Sequence, residues 1–337
     1  MRKNRFLVLS LVALFALSLV IAGCGGGHKP ASAAAAPTLV LKLGETHPPD
    51  YPTTMGDKKF AELVGERSKG RIKVDVYPGS QLGEEKAVIE QVQLGAVAFT
   101  RVSSAPLAEF NKPLGVFSLP YIFDSSAHMW KFLESADGAK LLDGLQASKF
   151  VGLCYYDPGA RNFYSTKPLK SLADVKGMKI RVQQNTINMD MISALGASAT
   201  PMPYGQVFSA LQTGVIDGAE NNFPSYLTAN HYQVAKHFIL DGHQRVPEVL
   251  IMSKVVWDKL TPDDQKLIKQ AALDSVKTQR ELWDKFEKEA EAKVKAAGST
   301  VTEVKDVKPW QDAVKSVIDK YRDQYKDVLA AIDNARK

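Results

Sequence analysis

The sequence predicts an α/β protein whose core is divided between two lobes, and three observations carry that expectation. Short β-like runs alternate with helical stretches through most of the chain, the pattern of βαβ units with mainly parallel sheets. The 337 residues exceed what one core usually holds, since single cores stop growing at about 250–300 residues. Near the C-terminus, helical periodicity persists over a stretch that would be roughly 50 Å long at about 1.5 Å per residue. Such a helix can lie across both lobes and couple them.

The first residues read as an export signal. Arg2, Lys3 and Arg5 precede an apolar or small run from Phe6 to Ala22, the pattern of a secretory signal peptide over residues 1–23. The run ends in Leu19-Val20-Ile21-Ala22-Gly23-Cys24, which resembles a bacterial lipobox and implies cleavage before Cys24 and thioether lipidation of its sulfur. Removing residues 1–23 takes away three cations and no acid, so the formal charge falls from +6 to +3. That balance is too mild to argue for a nucleic-acid partner. Residues 24–37 are Gly, Ala, Ser and Pro-rich and read as a flexible tether.

Along the mature chain, Leu39–Leu43 and Ile72–Tyr77 alternate as strands, with an amphipathic helix carrying Phe60, Leu63 and Val64 between them. This is a βαβ unit. Further strand-like runs fall at Ala96–Thr100, Phe150–Tyr156, Met178–Val182, His237–Leu240 and Val249–Met252. Thr261 caps the long helix, with Pro262 at its first position and Asp263 and Asp264 in its first turn. Leu267, Ile268, Ala272, Val276, Trp283, Phe286, Ala290 and Val294 form its apolar stripe. A second amphipathic helix is expected through Trp310, Val314, Val317, Tyr321, Tyr325 and Val328. Cys154, inside an apolar run, has no intrachain partner once Cys24 is acylated, and reads as an inert core thiol.

Motifs for catalysis are missing from the sequence. It has no G-x-S-x-G elbow, no G-x-G-x-x-G after a strand, no P-loop and no H-E-x-x-H. The six histidines lack metal-ligand spacing, and no cofactor is expected. Three arginines stand in or beside apolar strands instead: Arg101, Arg161 and Arg181. In Lys179-Ile180-Arg181-Val182-Gln183, alternation puts the polar residues on one face. A guanidinium presents a rigid donor fork that matches a carboxylate and keeps its charge when desolvated. The alternative for each arginine is a structural ion pair. Acids such as Glu84 and Glu85 read first as a solvated turn and helix start.

The segments Gln81–Glu85, Gln91–Ser103, Leu119–Phe123, Gly159–Val182 and Gly214–Tyr226 resemble the extracytoplasmic solute-binding proteins of tripartite ATP-independent periplasmic (TRAP) transporters. The likeness runs from about Leu39 to about Tyr325. It implies a two-lobed, type II-like periplasmic-binding-protein fold with hinge strands and a lobe-spanning helix. Lobe 1 would comprise 38–158 and 247–286, and lobe 2 would comprise 159–246 and 287–337. It makes Arg181 the main partner of a ligand carboxylate, Arg161 a second anion contact, and Asn221 with Asn222 the completion of the pocket. Glu45, His47, Gln81, Glu84 and Arg101 would read the rest of the ligand. The wording of these segments is similar to members that bind sugar acids such as glucuronate or galacturonate, with four-carbon dicarboxylates as the alternative. The implied partners are membrane permease subunits and, through the lipid, the membrane surface. An exported sugar-acid hydrolase or lyase, and a binding protein serving an ATP-driven importer or a sensor kinase, are the competing classes.

Overall fold

A computed structural model describes residues 37–336 of the chain. The expected signal peptide, Cys24 and all but the last residue of the tether lie outside the described residues. Eleven strands follow in chain order: β1 (Leu39–Gly44), β2 (Ile72–Tyr77), β3 (Phe99–Ser103), β4 (Phe150–Tyr156), β5 (Arg161–Ser165), β6 (Lys179–Val182), β7 (Ser198–Pro201), β8 (Gly218–Asn221), β9 (His237–Gln244), β10 (Glu248–Ser253) and β11 (Thr300–Glu303). They form a five-stranded sheet ordered β2-β1-β3-β10-β4 and a six-stranded sheet ordered β11-β9-β5-β8-β6-β7.

The expected βαβ unit opens the first sheet. β1 and β2 pair in parallel with Leu39 opposite Ile72, and the helix Pro52–Arg67 between them buries Phe60 and Val64 completely. Those two side chains join Leu43, Phe99, Leu153 and Leu250 in one apolar cluster. Parallel pairing continues at β1–β3, β6–β7, β6–β8 and β9–β11. The sheets are nevertheless mixed rather than mainly parallel. β10 runs antiparallel to both β3 and β4, and β5 antiparallel to both β8 and β9. The chain leaves the first sheet after β4 and returns to it at β10, so the returning strand enters from the opposite end.

Both crossings are short, residues 157–160 and 245–247. Gly159 turns the first one at φ +62, and a Cβ there would lie 2.7 Å from Trp283 on the long helix. Only glycine fits so close a passage in the left-handed region.

The long helix is Pro262–Ala296, and the Thr261 hydroxyl accepts from the Asp264 amide at 3.2 Å as its cap. Ile268, Ala271 and Ala272 pack in the first sheet's cluster, whereas Ala290 and Val294 pack with Val207, Phe223 and Phe238 of the second. One rigid element therefore touches both cores, as its length predicted. The second expected helix is instead three pieces, Lys308–Ala313, Lys315–Tyr321 and Lys326–Asn334. Trp310 and Val314 belong to the cluster around Phe163 and Ile180, while Val317, Tyr325 and Ile332 join Phe117, Phe123 and Met129. A straight helix could not serve both surfaces, and the chain bends at Val314 and Tyr325, which leave helical geometry. No helix among the described residues is long and apolar enough to cross a membrane.

Candidate functional site

Between the two sheets lies a narrow cavity of about 20 Å3 lined by residues from both. On the second sheet, β6 turns Ile180 and Val182 into an apolar cluster and Arg181 toward this space. Arg181 is buried. Its Nε and Nη2 donate to the Met202 carbonyl at 3.1 and 2.8 Å, which locks the fork in place. Among the described residues no carboxylate pairs with it, and Nη1 makes no hydrogen bond to protein. Burial lowers its pKa from the ordinary arginine value, with Glu220 opposing, yet a guanidinium does not deprotonate in proteins. A buried positive charge with free donors therefore faces the cavity.

Arg161, the first residue of β5, is differently placed. Its Nη2 donates to Glu220 Oε1 at 2.9 Å and to the Glu220 carbonyl at 2.9 Å, and its Nε pairs with Oε2. Register makes this contact, since β5 and β8 pair Phe163 with Glu220 and Asn162 with Asn221. Glu220 also lies 3.7 Å from His243 Nε2, and His243 Nδ1 lies 2.7 Å from Asp241 Oδ2. Arg161, Glu220, His243 and Asp241 thus alternate in sign and sum to zero. Although burial raises the Glu220 pKa, Arg161 and His243 outweigh it and hold the carboxyl at about 2. Burial likewise opposes charge on His243, but Asp241 and Glu220 push it up to about 9.

That shift carries a stability consequence. His243 binds its proton more tightly folded than unfolded, so its contribution is complete below about pH 6.5 and is lost as pH rises through 9. The expected loss over that window is about 3 kcal/mol. Glu248, pushed up to about 7 chiefly by burial, adds to the fall below pH 7. Thermal melts from pH 6.5 to 9 are expected to show a declining Tm that flattens in His243→Gln. An equally steep decline in that variant would remove the role given to this histidine.

Asn221 Oδ1 accepts from Arg161 Nη1 at 3.3 Å and from the Asn222 amide at 2.9 Å, leaving its Nδ2 toward the cavity. Asn222 caps the helix Phe223–Thr228 by accepting from the Ser225 amide at 2.8 Å. Its Nδ2 donates to the Pro158 carbonyl at 2.9 Å, tying the helix start to the first crossing.

The opposite wall comes from the first sheet. Arg101 on β3 is wholly enclosed: its Nε donates to Glu45 Oε2 at 2.7 Å, and its Nη1 donates to Glu85 Oε1 at 3.0 Å and Glu248 Oε2 at 2.6 Å. Its Nη2 reaches Glu45 Oε1, and Thr46 Oγ1 at 2.8 Å. Arg101 and Glu45 therefore stand one layer behind the cavity, while Glu85 and Glu248 line it. Burial raises the Glu45 pKa, but Arg101 dominates and holds it far below the carboxylate range. Asp57, buried behind it, has its carboxyl pushed far up by burial and by the Glu45 charge.

His47 lines the cavity, stacked on Tyr51 with ring centroids 3.9 Å apart. Its Nδ1 lies 2.6 Å from Arg101 Nη2 and 2.9 Å from Glu45 Oε1. The guanidinium can only donate, so Nδ1 accepts from it, and burial plus the Arg101 charge keep the ring neutral. The Nε2 proton then remains for the cavity. Glu84 lies at the rim, where its Oε2 accepts from the Gly205 amide across the cleft at 3.3 Å. Gln81 stays exposed and is not brought to the cavity. Further contacts close the gap, with Tyr51 OH 2.8 Å from Ser225 Oγ and the Glu109 carboxylate accepting from the Thr186 amide at 3.1 Å.

Glu85, expected in a solvated turn, lines the cavity and pairs with Arg101 instead, and the sequence alone gives no site role to Glu248, Gln183, Tyr204 and Ser225, which also line it. Gln183 was visible as the next polar residue on the Arg181 face. Glu248, opening a strand whose six residues are all buried, was the other available signal, because an acid there must find a cation.

The chain matches the family model described as bacterial extracellular solute-binding protein, family 7, over residues 43–324. It is similar to a TRAP periplasmic solute-binding protein of Pseudomonas putida F1 solved with bound D-glucuronate: 43% identical, TM-score 0.86, covering 87% of this chain and 96% of that one. A counterpart from Xanthobacter autotrophicus Py2, solved with bound β-D-galacturonate, is 42% identical with a TM-score of 0.84, covering 87% and 98%. The C4-dicarboxylate-binding periplasmic protein DctP of Rhodobacter capsulatus is 34% identical, covering 79% of this chain and 80% of that protein.

Proposed function

Because the chain belongs to bacterial extracellular solute-binding protein family 7, the solute-binding proteins of TRAP transporters, we propose that it captures a hexuronate such as D-glucuronate or D-galacturonate outside the cytoplasm and delivers it to a membrane permease. The observation that carries this reading is the buried Arg181 guanidinium with no carboxylate of its own. An unpaired buried charge is costly, and a ligand carboxylate would supply the missing partner through the unused Nη donors. Asn221 Nδ2 and the His47 Nε2 proton stand ready beside it for further ligand oxygens. Arg161, already neutralised by Glu220, contributes field and shape more than a free charge.

The cycle makes and breaks no covalent bond. In our reading the lobes are built on the two sheets, 38–158 with 247–286 and 159–246 with the chain from 287, although the last helix, Lys326–Asn334, packs back on the first lobe through Ile332, and the crossings at 157–160 and 245–247 flex. Cross-cleft bonds such as Tyr51–Ser225 and Glu84–Gly205 would hold the closed form, and the ligand would shift the population toward it by binding both walls. Hydrogen bonds to charged groups contribute about 1.5–3 kcal/mol each, so a few suffice for the roughly −8 kcal/mol of micromolar binding. Calorimetric titration of the purified protein is expected to give micromolar or tighter affinity for D-glucuronate or D-galacturonate. Titrations flat for both sugar acids, on folded protein, would overturn the reading.

The lipobox-like run before Cys24 supports anchoring of the exported chain through that thiol. Cys24→Ser is expected to move the protein from the membrane to the soluble extracytoplasmic fraction, with uronate affinity unchanged. Retention of the variant on membranes would contradict the anchor.

A further inference from the structure

The two walls of the cavity differ in sign. Around the second sheet, Arg161, Glu220, His243 and Asp241 cancel, leaving Arg181 as the net positive charge. On the first sheet, the single Arg101 guanidinium serves Glu45, Glu85 and Glu248. With one cation against three carboxylates, this wall keeps a net negative charge even when one of the three is protonated. Glu85 and Glu248 each give Arg101 one oxygen. Their other oxygens, Glu85 Oε2 and Glu248 Oε1, accept no hydrogen bond from the described residues, and both side chains line the cavity. Glu85, Glu248 and Arg181 line the same narrow cavity, so the walls face each other across a small gap.

Resting on the reading that Arg181 receives a ligand carboxylate, we propose that Glu85 and Glu248 form an acceptor wall that admits monocarboxylates bearing hydroxyl groups and turns away dicarboxylates. A hydroxyl donates to a free carboxylate oxygen, and such charge-assisted bonds are about twice as strong as neutral ones. A second carboxylate at the same place has no proton to give. It meets like charge in a desolvated gap, where repulsion is weakly screened. Discrimination of this kind works by a built-in repulsive element as well as by attraction. Arg101 is the positioning residue of the wall: it holds the inner oxygens of both glutamates, so the outer ones point to the ligand.

The test compares D-glucuronate with D-glucarate, which carries a carboxylate where open-chain glucuronate has its aldehyde, and with succinate, which lacks hydroxyls. Wild-type protein is expected to bind glucuronate at least 100-fold more tightly than either dicarboxylate by calorimetry. In Glu85→Gln/Glu248→Gln the acceptor oxygens remain but the charge is gone, so the ratio of glucuronate to glucarate affinity should narrow at least tenfold. Glu85→Gln alone should narrow it at least threefold, and melting temperature confirms folding of each variant. An unchanged ratio in folded variants, or wild-type affinity for succinate equal to that for glucuronate, overturns this proposal alone. Failure of wild-type protein to bind any of the three acids overturns the carboxylate reading and this proposal with it.

Discussion

Replacing Arg181 with methionine is expected to abolish uronate binding, weakening it at least 100-fold, while the ligand-free protein melts at the same temperature or higher. The two halves of this expectation have one cause. Among the described residues Arg181 is buried and hydrogen-bonded only to the Met202 carbonyl, so in the ligand-free protein its charge is desolvated without an ion-pair partner. Exchanging such a charge for an apolar side chain of similar length is often neutral or stabilising. In the proposed complex the same charge would make two charge-assisted bonds to a carboxylate, each about 1.5–3 kcal/mol, and their loss would correspond to a factor of 100 or more. Arg181→Lys keeps the charge but not the planar fork, and should lose at least tenfold. Calorimetry for affinity, with thermal melts in the presence and absence of D-glucuronate, separates these outcomes. A variant that melts much lower yet binds uronate with wild-type affinity would assign Arg181 to the fold and not to the ligand.

Arg101→Met is expected to behave in the opposite way. This guanidinium is fully enclosed and bonded to Glu45, Glu85 and Glu248. Removing it leaves buried carboxylates without a partner, a change that costs about 3–5 kcal/mol. In a folded chain of about 300 residues each kcal/mol lowers Tm by roughly 1.5 °C. The fall should shrink in acid. Without Arg101 the buried carboxyls have folded pKa values raised above their unfolded ones, so the penalty is largest above those raised values. It fades as pH falls below them and the groups protonate. Thermal melts at pH 5 and pH 8 test this; an equal loss at both would show that lost packing, and not unpaired charge, sets the cost.

The contrast between these two arginines was only half legible in the sequence. Arg181 stood out because Lys179, Arg181 and Gln183 alternate with apolar neighbours, and period-2 alternation reports directly which face a strand side chain takes. Arg101 offered the same residue type at the end of a similar apolar run. What separates them is the long-range arrival of Glu45, Glu85 and Glu248 in contact with one, whereas no described acid comes close enough to pair with the other. Strand pairing decides that, since β3 lies between β1 and β10.

The βαβ opening and the long helix were legible because each extends over enough residues to show its period. β6 and β10 were found through their apolar runs. β7, β8 and β11 span four residues each, like β6, but carry at most one large apolar side chain and so show no alternation, and Arg161–Ser165 carries polar residues at three of its five positions. The antiparallel return of β10 was not legible either. Local patterns fix neither strand direction nor the end from which a returning chain enters. The helix expected through Trp310 and Val328 failed at Val314 and Tyr325, where packing against two different clusters overrides a continuous apolar stripe.

The most direct test of the account is a crystal structure of the protein with D-glucuronate. The account predicts the ligand carboxylate within about 3 Å of the Arg181 Nη atoms, as N–H···O bonds require, with the sugar hydroxyls toward Glu85 and Glu248. Ligand density elsewhere, or a sugar acid turned so that its carboxylate lies away from Arg181, would contradict it.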